Sequence, residues 1–508
     1  MVDRFALRTP AGWLPVLLPL AAALWAPLPA RAVDAPPALT SCRLEGMEHP
    51  ALCGSVARLL DPARPSGPSI SVHFAVVPAL ARRKAEDAVF FFAGGPGQSA
   101  MDLAGALSRR YARFGNRRDM VFVDQRGTGR SAPLKCADDG DRNALRPLAE
   151  ALDETRRLQR TRDCAATLQK LPHGDLRQYT TTIAMADIDA VRATLGIERI
   201  NAIGASYGTR AVLEYQRLFP QRLRRAVIDG VAPPDMVLPL SFSTDNQAAL
   251  EAMFSGCEAD DICHKRFPAL RAQWKQLLAS LPQTARVAHP MTGGEEQVTI
   301  TRDTVLGAVR APLYSPLLAS ALPAAIAEAA RQRFAPLVGL ASALGGAGGS
   351  IATGMHFSVV CAEDAPRMGA PDGGASAANP PGADFATSSR DEYARICADW
   401  PRGSVPPEFY RIGPAPAATL VLSGGLDPVT PPRHGERVAR ALGAKARHVL
   451  VPNAGHGVLG LACMRDAVVR FVDADSDDDA LKVDVSCSAS VPRPTSFVPL
   501  RATGESPR

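Results

Sequence analysis

The feature that most constrains this chain is a recurring unit: a short, mostly apolar run that stops at a turn signal and gives way to a helical pattern. Residues 88–92 stop at Gly94-Gly95-Pro96-Gly97, 120–123 at Asp124, 200–203 at Gly204 and 225–228 at Asp229. Residues 419–422 and 448–451 do the same before Ser423-Gly424-Gly425 and Pro452. Runs of four or five such residues without alternation have both faces buried, as in parallel strands covered by helices. Residues 71–77 predict an antiparallel leading strand, and Thr182 is a candidate N-cap for a helix running on from Ile183. Strands alternating with helices predict an α/β fold with a doubly wound, mainly parallel sheet.

The alternation breaks between about 233 and 414, where Ala/Leu-rich helical patterns and a Gly/Pro/Ala/Ser-rich, loop-like stretch at 369–389 intervene. Strands then resume. A mostly helical insertion between two late strands of one sheet predicts a lid over the carboxyl ends of those strands. The expected organisation is a catalytic domain from 33–232 and 415–508, with a lid from 233–414.

At the N-terminus, Arg4 and Arg8 precede an apolar run reaching Ala26, followed by Ala30-Arg31-Ala32. That order predicts an export leader at 1–32, cleaved near Val33, rather than a stable membrane anchor. The ten cysteines fall in close neighbours along the sequence: Cys42/Cys53, Cys136/Cys164, Cys257/Cys263, Cys361/Cys397 and Cys463/Cys487. In an oxidising compartment outside the cytoplasm, periplasmic or extracellular, five local bridges are the natural expectation, although spacing alone leaves connectivity open. No Cys/His cluster has zinc spacing, so neither a metal nor a cofactor is expected. The formal charge of +6 is spread thinly over the sequence, with no basic block to track a phosphate backbone, so a nucleic-acid partner is not expected. The sequence carries no signal for oligomeric state.

Gly204-Ala205-Ser206-Tyr207-Gly208 is a G-x-S-x-G between an apolar strand and a helical run. A serine hydroxyl is a weak nucleophile and must stand exposed on a tight turn where a base can reach it. The same turn brings the Tyr207 N–H to a helix start, where it can hold an oxyanion. Asp427 and then His456 close the turns after the last two strands, in the chain order expected of an orienting acid and a general base. Asp229 is the competing acid and His434 the competing histidine. Gly94-Gly95-Pro96-Gly97 lets backbone approach a substrate carbonyl, with Gly95 the expected second oxyanion donor and Gly94 the alternative. The loop from Asp124 to Ser131 lacks the P-loop ending and reads as a structural turn, with Asp124 and Arg126 bonded to neighbouring backbone.

Together, Gly94-Gly95-Pro96-Gly97, Asp124-Gln125-Arg126-Gly127-Thr128-Gly129-Arg130-Ser131, the Ser206 motif, and Asp427 with His456 resemble the prolyl aminopeptidase and tripeptidyl aminopeptidase family of α/β-hydrolases. The C-terminal stretch, with Cys463 and Cys487 following Gly-His456-Gly, is closer to its exported branch. Ala93 stands where a histidine usually precedes Gly-Gly-Pro-Gly, a departure that bears on prolyl specificity. The resemblance implies a peptide substrate with a free N-terminus, with a carboxylesterase on the same fold as the alternative. An aminopeptidase needs a carboxylate for the substrate ammonium, and Glu363 and Asp364 in the expected lid are the candidates.

Overall fold

The sheet is built from strands β1 (Thr40–Cys42), β2 (Ala51–Leu59), β3 (Ser69–Val77), β4 (Ala88–Phe92), β5 (Met120–Val123), β6 (Ile200–Ala205), β7 (Leu223–Asp229), β10 (Thr419–Gly424) and β11 (Ala446–Val451). A computed structural model describes them within residues 39–140, 144–343, 351–368, 383–385 and 388–499. The expected leader at 1–32 and most of the 369–389 stretch lie outside the described residues. Strand order is β1-β2-β3-β5-β4-β6-β7-β10-β11. All pairs from β5 to β11 are parallel, whereas β1, β2 and β3 run antiparallel to their neighbours. The result is an α/β-hydrolase sheet.

Successive strand side chains point to opposite faces. Phe90, Phe92, Val121 and Ala202 therefore enter one core with Ile188, Val191 and Val212. Val89, Phe91, Phe122 and Ile203 enter the other with Tyr111, Val468 and Phe471. Each fully buried phenylalanine adds roughly 1.5–3 kcal/mol of transfer free energy, and both faces are filled this way. The helices that supply the covering side chains include α1 (Thr181–Thr194), α2 (Tyr207–Leu218), α7 (Pro432–Leu442) and α8 (Ala462–Asp473).

The insertion between β7 and β10 carries α3 (Leu238–Ala259), α4 (Arg302–Leu313), α5 (Thr353–Glu363) and α6 (Ser388–Asp399). It also holds an antiparallel hairpin, β8 (Gln283–Ala288) with β9 (Glu295–Ile300). Leu250, Phe254, Trp274, Leu277, Val298, Ile300, Val309 and Ile326 form a separate core within it.

Two local expectations are corrected. The leading strand at 69–77 is preceded by two further strands, because β2 mixes Gly54, Ser55 and Arg58 with its apolar residues and carries a weak strand signal. Helix α1 is capped by Thr180, whose Oγ accepts the Ile183 N–H, because the chain is still extended there. Thr182, two residues on, instead donates its hydroxyl to Glu214 at 2.6 Å. The insertion is mostly helical as expected, and the Gly293-Gly294 turn adds one hairpin to it.

All ten cysteines are paired, each with its neighbour in the sequence: Cys42–Cys53, Cys136–Cys164, Cys257–Cys263, Cys361–Cys397 and Cys463–Cys487. Cys361–Cys397 ties α5 to α6, and Cys463–Cys487 ties α8 to the segment beyond it.

Candidate active site

Ser206 sits between β6 and α2 with φ 57° and ψ −127°, a conformation that side-chain-bearing residues rarely adopt. The turn is held by the Ser206 N–H, which donates to Asp229 O at 2.9 Å, and by the Thr209 N–H returning to Ser206 O at 2.9 Å. The two flanking glycines are sterically required. A β-carbon at Gly204 would collide with the Gly208 carbonyl, and one at Gly208 with the Phe92 carbonyl. Strand and helix thus approach closely enough to push the serine out of the sheet edge.

Asp427 and His456 meet across the ends of β10 and β11. The His456 Nδ1–H donates to Asp427 Oδ2 at 2.8 Å. Asp427 Oδ1 accepts the N–H groups of Val429 (2.9 Å) and Thr430 (2.8 Å), and the Thr430 hydroxyl donates to Oδ2 at 2.7 Å. Burial alone would raise the Asp427 carboxyl, but the charge and hydrogen bond of His456, with those of Thr430, hold it below the usual range. Burial likewise opposes the charged imidazole. Asp427, together with the charge of Asp229, more than compensates and raises His456 above its ordinary value.

Both the imidazole and the serine lie against β7's exit turn. A β-carbon position at Gly230 lies 3.3 Å from His456 Cε1, and Asp229 beside it carries the carbonyl that anchors Ser206. Among the described residues, neither the Ser206 hydroxyl nor His456 Nε2 has a hydrogen-bond partner. In unliganded hydrolases that link is commonly long and tightens around substrate.

Gly94 offers its N–H to the Gln98 side chain at 3.1 Å, which removes it as an oxyanion donor. The N–H groups of Gly95 and Tyr207 have no partner among the described residues. The Tyr207 ring turns inward and its hydroxyl lies 2.7 Å from Thr181 Oγ.

The competing residues are committed elsewhere. Asp229 is 1% exposed and accepts the Leu459 N–H at 2.8 Å, and burial pushes its carboxyl up to about 6. His434 Nε2 contacts Asp245 at 3.2 Å. Asp124 accepts from Ser99, Met101 and Arg130, while Arg126 donates to the carbonyls of Leu59, Leu60 and Gln178 and to Asp187. Both brace the loop.

Glu363 and Asp364 are both 0% exposed. Arg210, one helical turn beyond Ser206, donates to Asp364 at 3.0 and 3.1 Å and to Glu363 at 3.3 Å. The Thr181 N–H and hydroxyl occupy the other Glu363 positions, and the Leu238 N–H reaches Asp364. This corrects the expectation that they face a substrate amine. They neutralise a buried arginine and tie the end of α5 to α2.

Two contributors carried little or no sequence signal. Thr430 bridges the acid and the imidazole, its hydroxyl 3.0 Å from His456 Nδ1; its place three residues after Asp427 is a capping spacing that could have flagged it. Tyr314, at the end of α4, accepts the His456 N–H on its carbonyl at 2.9 Å and sets its ring edge-on to the imidazole at 5.2 Å. Nothing in its local sequence marks it.

Fold and site define the class as an α/β-hydrolase with a lid. A family model described as TAP-like protein matches residues 383–487. The chain is 30% identical over 423 residues to carboxylesterase B of Mycobacterium tuberculosis, covering 78% of each protein. It is 28% identical over 311 residues to the serine protease Hip1 of the same organism, covering 57% of this chain and 58% of Hip1. It is 30% identical over 209 residues to tripeptidyl aminopeptidase of Streptomyces lividans, covering 37% and 36%. The aligned part thus spans little more than half of Hip1. The chain belongs to the TAP-like α/β-hydrolase family.

Proposed function

We propose that this chain is an exported serine hydrolase that cleaves peptide bonds near a free N-terminus through Ser206, His456 and Asp427. The observation that carries the reading is the Asp427–His456 couple at the sheet rim beside a serine on a strained turn. With its Nδ1 proton held by Asp427, the imidazole keeps a lone pair on Nε2 to take the Ser206 proton as the oxygen attacks the carbonyl. The Gly95 and Tyr207 N–H groups receive the charge that develops on the carbonyl oxygen. His456 returns its proton to the leaving group, and water then repeats the sequence on the acyl-enzyme.

The relatives named as a serine protease and a tripeptidyl aminopeptidase support the peptide substrate. The five disulfides support an oxidising compartment. No helix among the described residues is long and apolar enough to cross a membrane. The relative named carboxylesterase B, which aligns over the longest stretch of the three, favours an ester substrate as the second reading. Chromogenic amides with free and with acylated N-termini, run beside simple esters with Ser206→Ala as control, separate the two. Ser206-dependent turnover confined to free-amine amides is the expected result. Ester turnover without any amide cleavage overturns the peptidase reading.

A further inference from the structure

Three of the four residues from 94 to 97 are glycine, so this loop must be held from outside if the Gly95 N–H is to keep one direction. One contact is with the nucleophile: a β-carbon position at Gly94 lies 3.4 Å from Ser206 Cβ. The others come from the lid. The Ala352 N–H donates to the Gly97 carbonyl at 2.9 Å, and Gln98 pairs with Ile351 in an antiparallel bridge. A β-carbon at Gly97 would stand 2.8 Å from the Ala352 carbonyl, so the two backbones meet with no side chain between them. His356, at the end of the first turn of α5, adds a further tie, its Nδ1 lying 3.3 Å from the Pro96 carbonyl.

A carbonyl only accepts, so Nδ1 must carry the proton and Nε2 is left to accept in turn. The Tyr393 hydroxyl meets that need from α6, donating to Nε2 at 2.9 Å. Burial holds His356 below its ordinary pKa, which keeps the ring neutral and its two nitrogens distinct. The ring packs edge-on against Phe357 and Tyr393, with centroids 5.2 and 5.8 Å away, and Cys361–Cys397 joins the same two helices about one turn further on. We propose that His356 is a positioning residue: through the Pro96 carbonyl it holds the loop that presents the Gly95 N–H to the substrate oxygen, and the Tyr393 hydroxyl fixes the tautomer able to do so. The lid thereby supports the oxyanion site as well as covering the cleft. This deepens the hydrolase reading and rests on Gly95 serving as an oxyanion donor.

The test is the rate at which a fluorophosphonate modifies Ser206. Its phosphoryl oxygen takes the place of the carbonyl oxygen as Ser206 Oγ displaces fluoride, whether the natural bond is an amide or an ester. Saturation kinetics separate the limiting rate of modification from the half-saturating concentration. His356→Leu removes the donor and should lower the limiting rate about 10- to 100-fold, while half-saturation moves less than about threefold. His356→Asn keeps an N–H at the Nδ1 position and should recover most of that rate. Tyr393→Phe leaves His356 in place but frees its tautomer, so its rate should fall between wild type and His356→Leu; it carries the test alone should His356→Leu fail to fold. A wild-type limiting rate in His356→Leu or Tyr393→Phe, an equal loss in His356→Asn and His356→Leu, or a loss carried by half-saturation alone overturns the assignment and leaves His356 as a fastener of the lid. Failure of the hydrolase reading would appear separately, as a wild-type chain that the reagent does not modify at Ser206.

Discussion

Arg210→Met is the sharpest probe of how the lid is fastened to the nucleophile helix. The guanidinium holds two carboxylates that are 0% exposed, with two bonds to Asp364 and one to Glu363, and it also donates to the carbonyls of Pro233 and Met236. Methionine fills much of the volume but leaves both acids buried without their counter-charge. Removing one partner of a buried ion pair costs about 3–5 kcal/mol. Spread over an unfolding entropy near 2.1 cal/mol/K per residue for roughly 470 residues, that is a fall in Tm of about 3–5 °C. Glu363 already sits up at about 7 through burial, even with Arg210 opposing the rise. Without the arginine the Glu363 carboxyl rises further above its unfolded value, so the native state gains a proton and the deficit shrinks as pH falls. Scanning calorimetry between pH 5 and 8 reads both effects. The triple variant Arg210→Met, Glu363→Gln, Asp364→Asn should recover most of the loss. An unchanged Tm accompanied by a raised KM for free-amine substrates refutes the reasoning and returns the two acids to substrate binding.

The remaining expectations concern the site and its frame. Asp427→Asn preserves the bonds from the Val429 and Thr430 backbone N–H groups but turns the imidazole to the wrong tautomer, so kcat should fall by about 10⁴ with little change in Tm; a loss under tenfold in steady-state assays argues against the assigned acid. His456 must be neutral to act and its folded value is raised, so kcat/KM should climb with pH through a midpoint above 6.5. Asp229 contributes to that rise, so Asp229→Asn should move the midpoint toward acid, and an unmoved midpoint in a pH–rate profile rejects the electrostatic link. Gly208→Ala drives a β-carbon into the Phe92 carbonyl; loss of more than about 2 kcal/mol in denaturant unfolding is expected, and wild-type stability would contradict the packing of strand against helix.

What the sequence made legible follows from where its signals are local. Ser206, Asp427 and His456 each close a turn directly after an apolar run, so their positions on one sheet rim can be read from strand order alone. The cysteine pairs are legible for the same reason, each bridge closing a short loop. Tyr314 is different: it reaches His456 because an inserted helix folds back over the sheet rim, a contact that no neighbouring residue announces. Glu363 and Asp364 misled because two adjacent acids suggest an exposed or ligand-facing site. The charge that buries them is Arg210, about 150 positions away along the chain. The pairing of β2 was faint since Gly54, Ser55 and Arg58 dilute its apolar pattern, and only the neighbouring β3 completes it.

The most direct measurement is intact and peptide mass spectrometry of the chain after reaction with a fluorophosphonate. One adduct per molecule, located on Ser206 and lost in His456→Ala, is the outcome required by a serine activated at this rim. An unmodified chain under conditions that label an active serine hydrolase, or an adduct on a different residue, contradicts it.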